Sequence, residues 1–325
     1  MDRRTLLASL AAAPLAPRLA RAQSQVDWRP DRPIRLVVPF APGGSTDTTA
    51  RIVADALTGP LGQSVVVENR TGAGGTIAAE YVARSAADGY TLICGTNTTH
   101  ATAAALYPNL AYHPARDFVP VSMVVLTPNM AGIHPSLPAA NLREFIAYVK
   151  ANPGRVNYGS GGPGSSQHLS AALLAHMAGL EMTHVAYRGG APAVADLIAG
   201  RVQLVISPLI EMLPFIRDGK IRALGVSSRE RAVQFPDVPA IHEILPGYEI
   251  TGWAGLFAPA GTPAAAVRRL ARETAAAMRR PEMRRRIEEL GSIPVAMDAE
   301  ESARFYAAEL PKYAELVRLS GARPE

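Results

Sequence analysis

Two segments of the chain join glycines and hydroxyls to the start of a helix, a pattern that suits an anion. In Pro39-Phe40-Ala41-Pro42-Gly43-Gly44-Ser45-Thr46-Asp47 an apolar strand runs through a Pro/Gly turn into residues that open helices. Tyr158-Gly159-Ser160-Gly161-Gly162-Pro163-Gly164-Ser165-Ser166-Gln167-His168 repeats the arrangement further along. The first N–H groups of a helix lack intrahelical partners and carry partial positive charge, and glycine lets a ligand approach the backbone closely. Either segment alone is equally well explained as a capped helix without a ligand, with Ser45 or Thr46 as N-cap and Asp47 offsetting the dipole. Two such ends in separate halves can converge on one cleft, and this doubling favours ligand binding.

Other chemistries find less support. Thr71-Gly72-Ala73-Gly74-Gly75-Thr76 has Ile77 where a dinucleotide fingerprint needs its last glycine, and no glycine loop ends in Gly-Lys-Ser/Thr. No serine is flanked two residues away on both sides by glycine, so a nucleophile elbow is absent. The seven histidines are scattered without metal-ligand spacing, so no metal or other cofactor is expected. Ser165 with His168 is the one adjacent nucleophile–base candidate, and no acid partner is identifiable for it. His168 reads better as a helix-start or cleft-wall group. The single cysteine, Cys94, ends an apolar run and reads as a buried, inert thiol. Arg188, before Gly189-Gly190, suits either an acidic ligand or a surface ion pair.

These loops need a scaffold. Short apolar runs at 34–40, 65–67, 91–94, 156–158, 183–187, 202–207 and 221–227 alternate with helical patterns at 46–57, 76–86, 166–177 and 191–199. Near-continuous apolar strands separated by helices indicate a parallel sheet covered on both faces, hence an α/β fold. A Pro-rich break around 114–138 separates two such units, and helices follow at 263–280 and from about 299, the latter containing Pro311.

At 325 residues, with 48% hydrophobic and 19% charged residues, the chain has ample material for a core and is not disordered. Its formal charge of +5 is inflated by the N-terminus. Met1-Asp2-Arg3-Arg4, an apolar stretch from Thr5 to Ala16, and Ala20-Arg21-Ala22 read as a signal peptide over residues 1–22, cleaved after Ala22. Arg3-Arg4 also permits a twin-arginine route. Without this segment 29 basic side chains face 27 acidic ones, about +2, and a nucleic-acid partner loses its support. The arginines at 279–286 interleave with Glu282, Glu288 and Glu289, which describes a solvated helical face.

The segment 32–47, with Val67-Glu68-Asn69-Arg70, Asp88-Gly89-Tyr90-Thr91-Leu92 and Tyr158-Gly159-Ser160 through His168-Leu169, resembles the Bug family of TctC-like extracytoplasmic solute receptors. Tyr187-Arg188-Gly189-Gly190-Ala191-Pro192-Ala193, Gly219-Lys220-Ile221-Arg222-Ala223-Leu224 and Ala258-Pro259-Ala260-Gly261-Thr262-Pro263 extend the match in order to the C-terminus. The resemblance implies a type II periplasmic-binding-protein fold, with lobe 1 at 27–126 and 253–325 and lobe 2 at 127–252, joined by crossing strands. It implies a periplasmic, monomeric receptor that delivers a small organic acid to the membrane components of a tripartite tricarboxylate-type transporter. Carried over by motif, the ligand residues are Phe40, Gly43, Gly44, Ser45 and Asp47 from one lobe. Ser160, Gly164, Ser165 and His168 come from the other, with Thr96, Asn97, Tyr187 and Ser207 as walls.

One departure bears on the ligand. In Gly200-Arg201-Val202-Gln203-Leu204-Val205-Ile206-Ser207, the positions where many relatives carry an acid hold Gln203 and Ser207. An aromatic or aliphatic acid is therefore expected over an amino acid. A secreted α/β hydrolase and a sensor subunit are the competing functions.

Overall fold

The structure is a computed structural model that describes residues 28–323; the signal peptide read at 1–22 lies outside the described residues. The first unit contains β1 (Ile34–Val38), α1 (Ser45–Leu61), β2 (Val65–Asn69), α2 (Thr76–Ala83), β3 (Thr91–Thr96) and α3 (Ala103–Leu106). A long strand, β4 (Phe118–Ile133), leads into the second unit. There follow α4 (Leu142–Ala151), β5 (Val156–Ser160), α5 (Ser166–Ala178), β6 (Met182–Ala186), α6 (Gly190–Ile198), β7 (Leu204–Pro208), α7 (Leu209–Arg217) and β8 (Arg222–Val226). The chain then returns through β9 (Thr251–Pro259) and ends with α8 (Ala264–Met278), α9 (Pro281–Glu289), β10 (Ile293–Pro294) and α10 (Ala299–Ser320).

The strands order as β2-β1-β3-β9-β4-β7-β5-β6, with β8 and β10 also paired to β4. The apolar runs behave as their composition requires. β1 lies parallel between β2 and β3, with Leu36 level with Val67 and Leu92, and Ile34, Leu36, Val37 and Val38 are fully buried. In the second unit β5 lies parallel between β6 and β7. Helices cover both faces, so the α/β expectation holds.

The region read as a Pro-rich break is instead mostly β4, the strand both units share. Phe118–Pro128 pairs antiparallel with β9, and Asn129–Ile133 pairs with β7 on one side and β8 on the other. Its prolines fall where a ladder tolerates a missing donor. Pro120 sits beside a register shift, and Pro128 sits where the strand changes partners. α4, α7 and β9 were likewise not anticipated. α1 runs past the expected Leu57 to Leu61 and stops at Gly62, whose φ of +69° closes the helix.

A core cluster reaching from Val37 and Ile93 through Met123 to Ile206, Trp253 and Tyr306 spans both units. α10, started by the Asp298–Glu301 capping box, packs against α3, α5 and β4 and so touches both.

Candidate functional site

A cleft of about 490 Å³ opens where the C-terminal ends of β1, β3, β5 and β7 meet the helices that follow. From one unit it is lined by Phe40, Gly44, Ser45, Thr96 and Asn97, and from the other by Ser165, Gln167, Gly190 and Glu211. Thr127, Asn129, Gly252 and Trp253 of the crossing strands form its floor. Gly44 and Ser165 thus face one space from opposite halves, the convergence expected of the two helix starts.

The helix starts differ in how they are finished. Gly44 is the N-cap of α1, in extended conformation, and no side chain caps it. The N–H groups of Ser45 and Thr46 therefore find no acceptor among the described residues and point partial positive charge at the cleft. Asp47 does not line the cleft. Its carboxylate, 2% exposed, accepts from the Gly43 N–H (2.8 Å), Arg51 Nε (2.9 Å) and Asn69 Nδ2 (2.8 Å), and so ties the loop down from behind. Burial would raise its pKa, but these bonds outweigh burial and hold it below the usual carboxylate value. Gly43 belongs to the same clasp, and its φ of +84° explains the glycine.

At α5, Ser165 is the N-cap, accepting the His168 N–H at 3.2 Å, and its residue borders the cleft. His168 lies behind the wall. Its Nδ1 accepts the Gly164 N–H at 3.2 Å, and its ring stacks on His184 at 3.9 Å. Burial, with the neighbouring His184, lowers its pKa to about 4, so it is neutral at physiological pH. Ser165 and His168 are joined by a capping bond and form no nucleophile–base pair. The other expected site residues also support the wall without lining it. Ser160 Oγ bonds His184 Nε2 at 2.6 Å, and Gly164, at φ +73°, is packed beside Thr102 and Leu106. The Tyr187 hydroxyl donates to Asp196 Oδ2 at 2.7 Å, and the Ser207 hydroxyl donates to Glu211 Oε2 at 2.5 Å.

Several cleft residues escaped the sequence reading. Gln167 accepts the Gly161 N–H at 2.7 Å through Oε1 and donates through Nε2 to Ser207 Oγ (2.8 Å) and Glu211 Oε2 (3.2 Å). Glu211 lies four residues beyond Ser207, in α7, and that spacing is the sequence signal that marks it as a carboxylate beside the serine. Burial raises its pKa, against the lowering effect of the Ser207 and Gln167 bonds. Glu211 and Arg188, which stands exposed at the rim, are the charged residues among those that line the cleft. Two residues of the lining each hold a buried polar atom with no partner among the described residues: Asn97 Nδ2 and Asn129 Oδ1. Among the described residues no cluster of His, Cys, Asp or Glu could hold a metal, and no helix is long and apolar enough to cross a membrane.

Residues 49–321 match the family described as the tripartite tricarboxylate transporter family receptor, TctC. The chain belongs to the TctC family. It is 37% identical over 304 residues to BugT of Bordetella pertussis, covering 93% of each protein. Among solved structures it is similar to R. palustris Rpa4515 with adipate, at a TM-score of 0.84 and 38% identity over 91% of this chain and 99% of that one. It is also similar to MatC of Rhodopseudomonas palustris with bound malate, at a TM-score of 0.79 and 36% identity over 89% and 99%. The TctC receptor therefore has the two-lobe periplasmic-binding-protein fold that its motifs implied, and it is a solute-binding protein, not an enzyme.

Proposed function

We propose that this TctC receptor is an exported, periplasmic monomer that captures a small organic carboxylate between its lobes and delivers it to the membrane components of a tripartite tricarboxylate-type transporter. The lobes are taken as 27–126 with 253–325, and 127–252. One observation carries the reading. The uncapped start of α1 and the start of α5 border one cleft, and Asn97, a 5% exposed residue of its lining, has a buried Nδ2 with no acceptor among the described residues. A carboxylate oxygen supplies the missing acceptor, and its charge suits the helix ends. Phe40, Gly44, Ser45, Thr96, Asn97 and Ser165 contact the ligand. Gly43, Asp47, Ser160, Gly164, His168, Tyr187 and Ser207 hold them in place.

An aliphatic or aromatic acid is favoured over an amino acid. Several helix starts and Arg188 make the cleft unwelcoming to an ammonium group, and the carboxyl available to receive one, Glu211, is shifted by burial toward its neutral form. The adipate and malate held by the similar structures are acids without an amine. Closure of the lobes would expel water from around the acid and present a composite surface to the transporter.

A thermal-shift screen of organic acids tests this. An acid at a hundred times its dissociation constant stabilises the fold by about 2.7 kcal/mol, a readily measured rise in Tm. A screen in which no acid raises Tm, or in which amino acids raise it most, overturns the reading.

A further inference from the structure

The wall contributed by the second lobe carries hydrogen-bond acceptors that a bare carboxylate cannot use. Asn129 is 1% exposed; its Nδ2 donates to Ser170 Oγ at 3.0 Å, and its Oδ1 is buried with no donor. Asn129 pairs with Pro208 across the β4–β7 ladder, and Glu211 stands one turn into α7 from there. Glu211 Oε2 is taken by Ser207 and Gln167, while Oε1 has no donor among the described residues.

This niche is shaped by the absence of side chains beside it. A Cβ on Gly190 would lie 2.2 Å from both Glu211 Oε2 and Gln167 Nε2, and one on Gly161 would lie 2.5 Å from Gln167 Oε1. The Gln167–Ser207–Glu211 chain is thus seated against bare backbone, fixed in place with one carboxyl oxygen left over.

We propose that Glu211 Oε1 and Asn129 Oδ1 form a subsite that reads a hydroxyl, so that the preferred ligand is a hydroxy acid. Its carboxylate sits at the α1 and α5 starts, and its hydroxyl donates to the second lobe's wall. The inference rests on the carboxylate reading above and narrows its substrate class. A hydroxyl and an ammonium group both donate, and the surroundings separate them. The helix starts and Arg188 repel a cation, whereas a hydroxyl suits Glu211 in either state, donating to an ionised Oε1 or accepting from a protonated one.

Matched acids differing at one carbon decide the matter: malate, succinate and aspartate; lactate, propionate and alanine; mandelate, phenylacetate and phenylglycine. Each is titrated by calorimetry into the full mature chain and into Glu211→Leu and Glu211→Gln, with Tm reporting that the variants fold. In at least one set the hydroxy acid binds the unaltered protein about tenfold or more tighter than its deoxy partner. The ratio collapses in Glu211→Leu and is partly kept in Glu211→Gln, which retains an acceptor. Should Glu211→Leu fail to fold, the reduced ratio in Glu211→Gln carries the test. Equal binding of hydroxy and deoxy acids, or an unchanged ratio in the Gln variant, overturns the subsite while leaving the carboxylate reading intact, whereas tightest binding of the amino acid overturns both. Silence from all nine acids overturns that reading and the subsite with it.

Discussion

Asn97 accepts the backbone N–H of Trp253 through its side-chain oxygen at 3.4 Å, and this contact commits the oxygen end of the amide. The pairing of β3 with β9, Thr96 opposite Ala254, brings the two residues together. What remains is Nδ2, a buried donor without a partner, a state that costs about 1–3 kcal/mol until something accepts from it. Asn97→Ala is expected to weaken binding of the cognate acid about tenfold. Asn97→Asp, which sets a carboxylate where a donor stood, weakens it on the order of a hundredfold or more. Calorimetric affinities for Asn97→Asp within a factor of about three of the unaltered protein would remove Asn97 from the site.

Gly44 offers a test in which stability and binding move apart. Its φ of −74° and ψ of 169° suit any residue, and a Cβ there meets nothing closer than the Ala41 carbonyl at 3.6 Å. Aspartate is a better N-cap than glycine by a few tenths of a kcal/mol, so Gly44→Asp leaves Tm unchanged or slightly raised. The same carboxylate occupies the free N–H groups of α1 and repels the ligand, so affinity falls by roughly a hundredfold or more. A fold-intact Gly44→Asp that still binds the acid normally would show that the α1 start is not used.

The strands that carry the loops were legible because they are short, apolar and buried on both faces, β1 and β3 above all. β4 was not, because Pro120 and Pro128 read as breaks, and only the sheet shows that one sits at a register shift and the other at a change of partner. The cleft was legible as two glycine–hydroxyl turns, but residue type does not say which way a side chain points. Asp47, Ser160, His168, Tyr187 and Ser207 have the chemistry of ligand residues, yet each is bonded within the wall. Glu211 has that chemistry too and borders the cleft, but it lies in a helix whose apolar sequence, Leu209-Ile210-Glu211-Met212-Leu213, drew no notice.

Asp47 illustrates the supporting role. Removing its carboxylate strands the Gly43 N–H, leaves Asn69 Nδ2 with the Phe40 carbonyl alone and takes from Arg51 its carboxylate partner, so Asp47→Ala is expected to destabilise the fold by about 2–3 kcal/mol. Because the folded pKa is depressed, this stabilisation is present above the unfolded value of 3.8 and is lost as pH falls through the folded one. Affinity falls as well, because the Gly43–Gly44 turn is no longer clasped. Chemical denaturation at pH 7 measures the first effect, and an unchanged midpoint for Asp47→Ala would contradict the clasp.

Two histidines set the acid limit of the fold. His100 is fully buried between Phe257 and Phe118, its Nε2 without a partner, and burial lowers its pKa to about 3. His168, stacked on His184, is lowered to about 4 by burial and by that neighbour. In the unfolded chain both take a proton near pH 6.5, whereas the folded chain refuses it until far lower pH. Between those values the unfolded state binds more protons, so stability is greatest above pH 6.5 and declines on acidification, by up to about 1.4 kcal/mol per pH unit for each histidine. Glu211, whose folded pKa is raised, opposes the trend above its unfolded value of 4.5, whereas Asp47, Asp117 and Glu243, all depressed, add to the loss below their unfolded values. Between pH 6.5 and 4.5 the histidines lower stability on acidification and Glu211 partly offsets them, equally in a variant that lacks only the two histidines. Over that interval the denaturation midpoint of the unaltered protein should fall, and that of His100→Phe/His168→Phe, which keeps both rings stacked but cannot be protonated there, should stay level or rise slightly. Parallel curves for the two proteins would show that neither imidazole is held neutral by the fold.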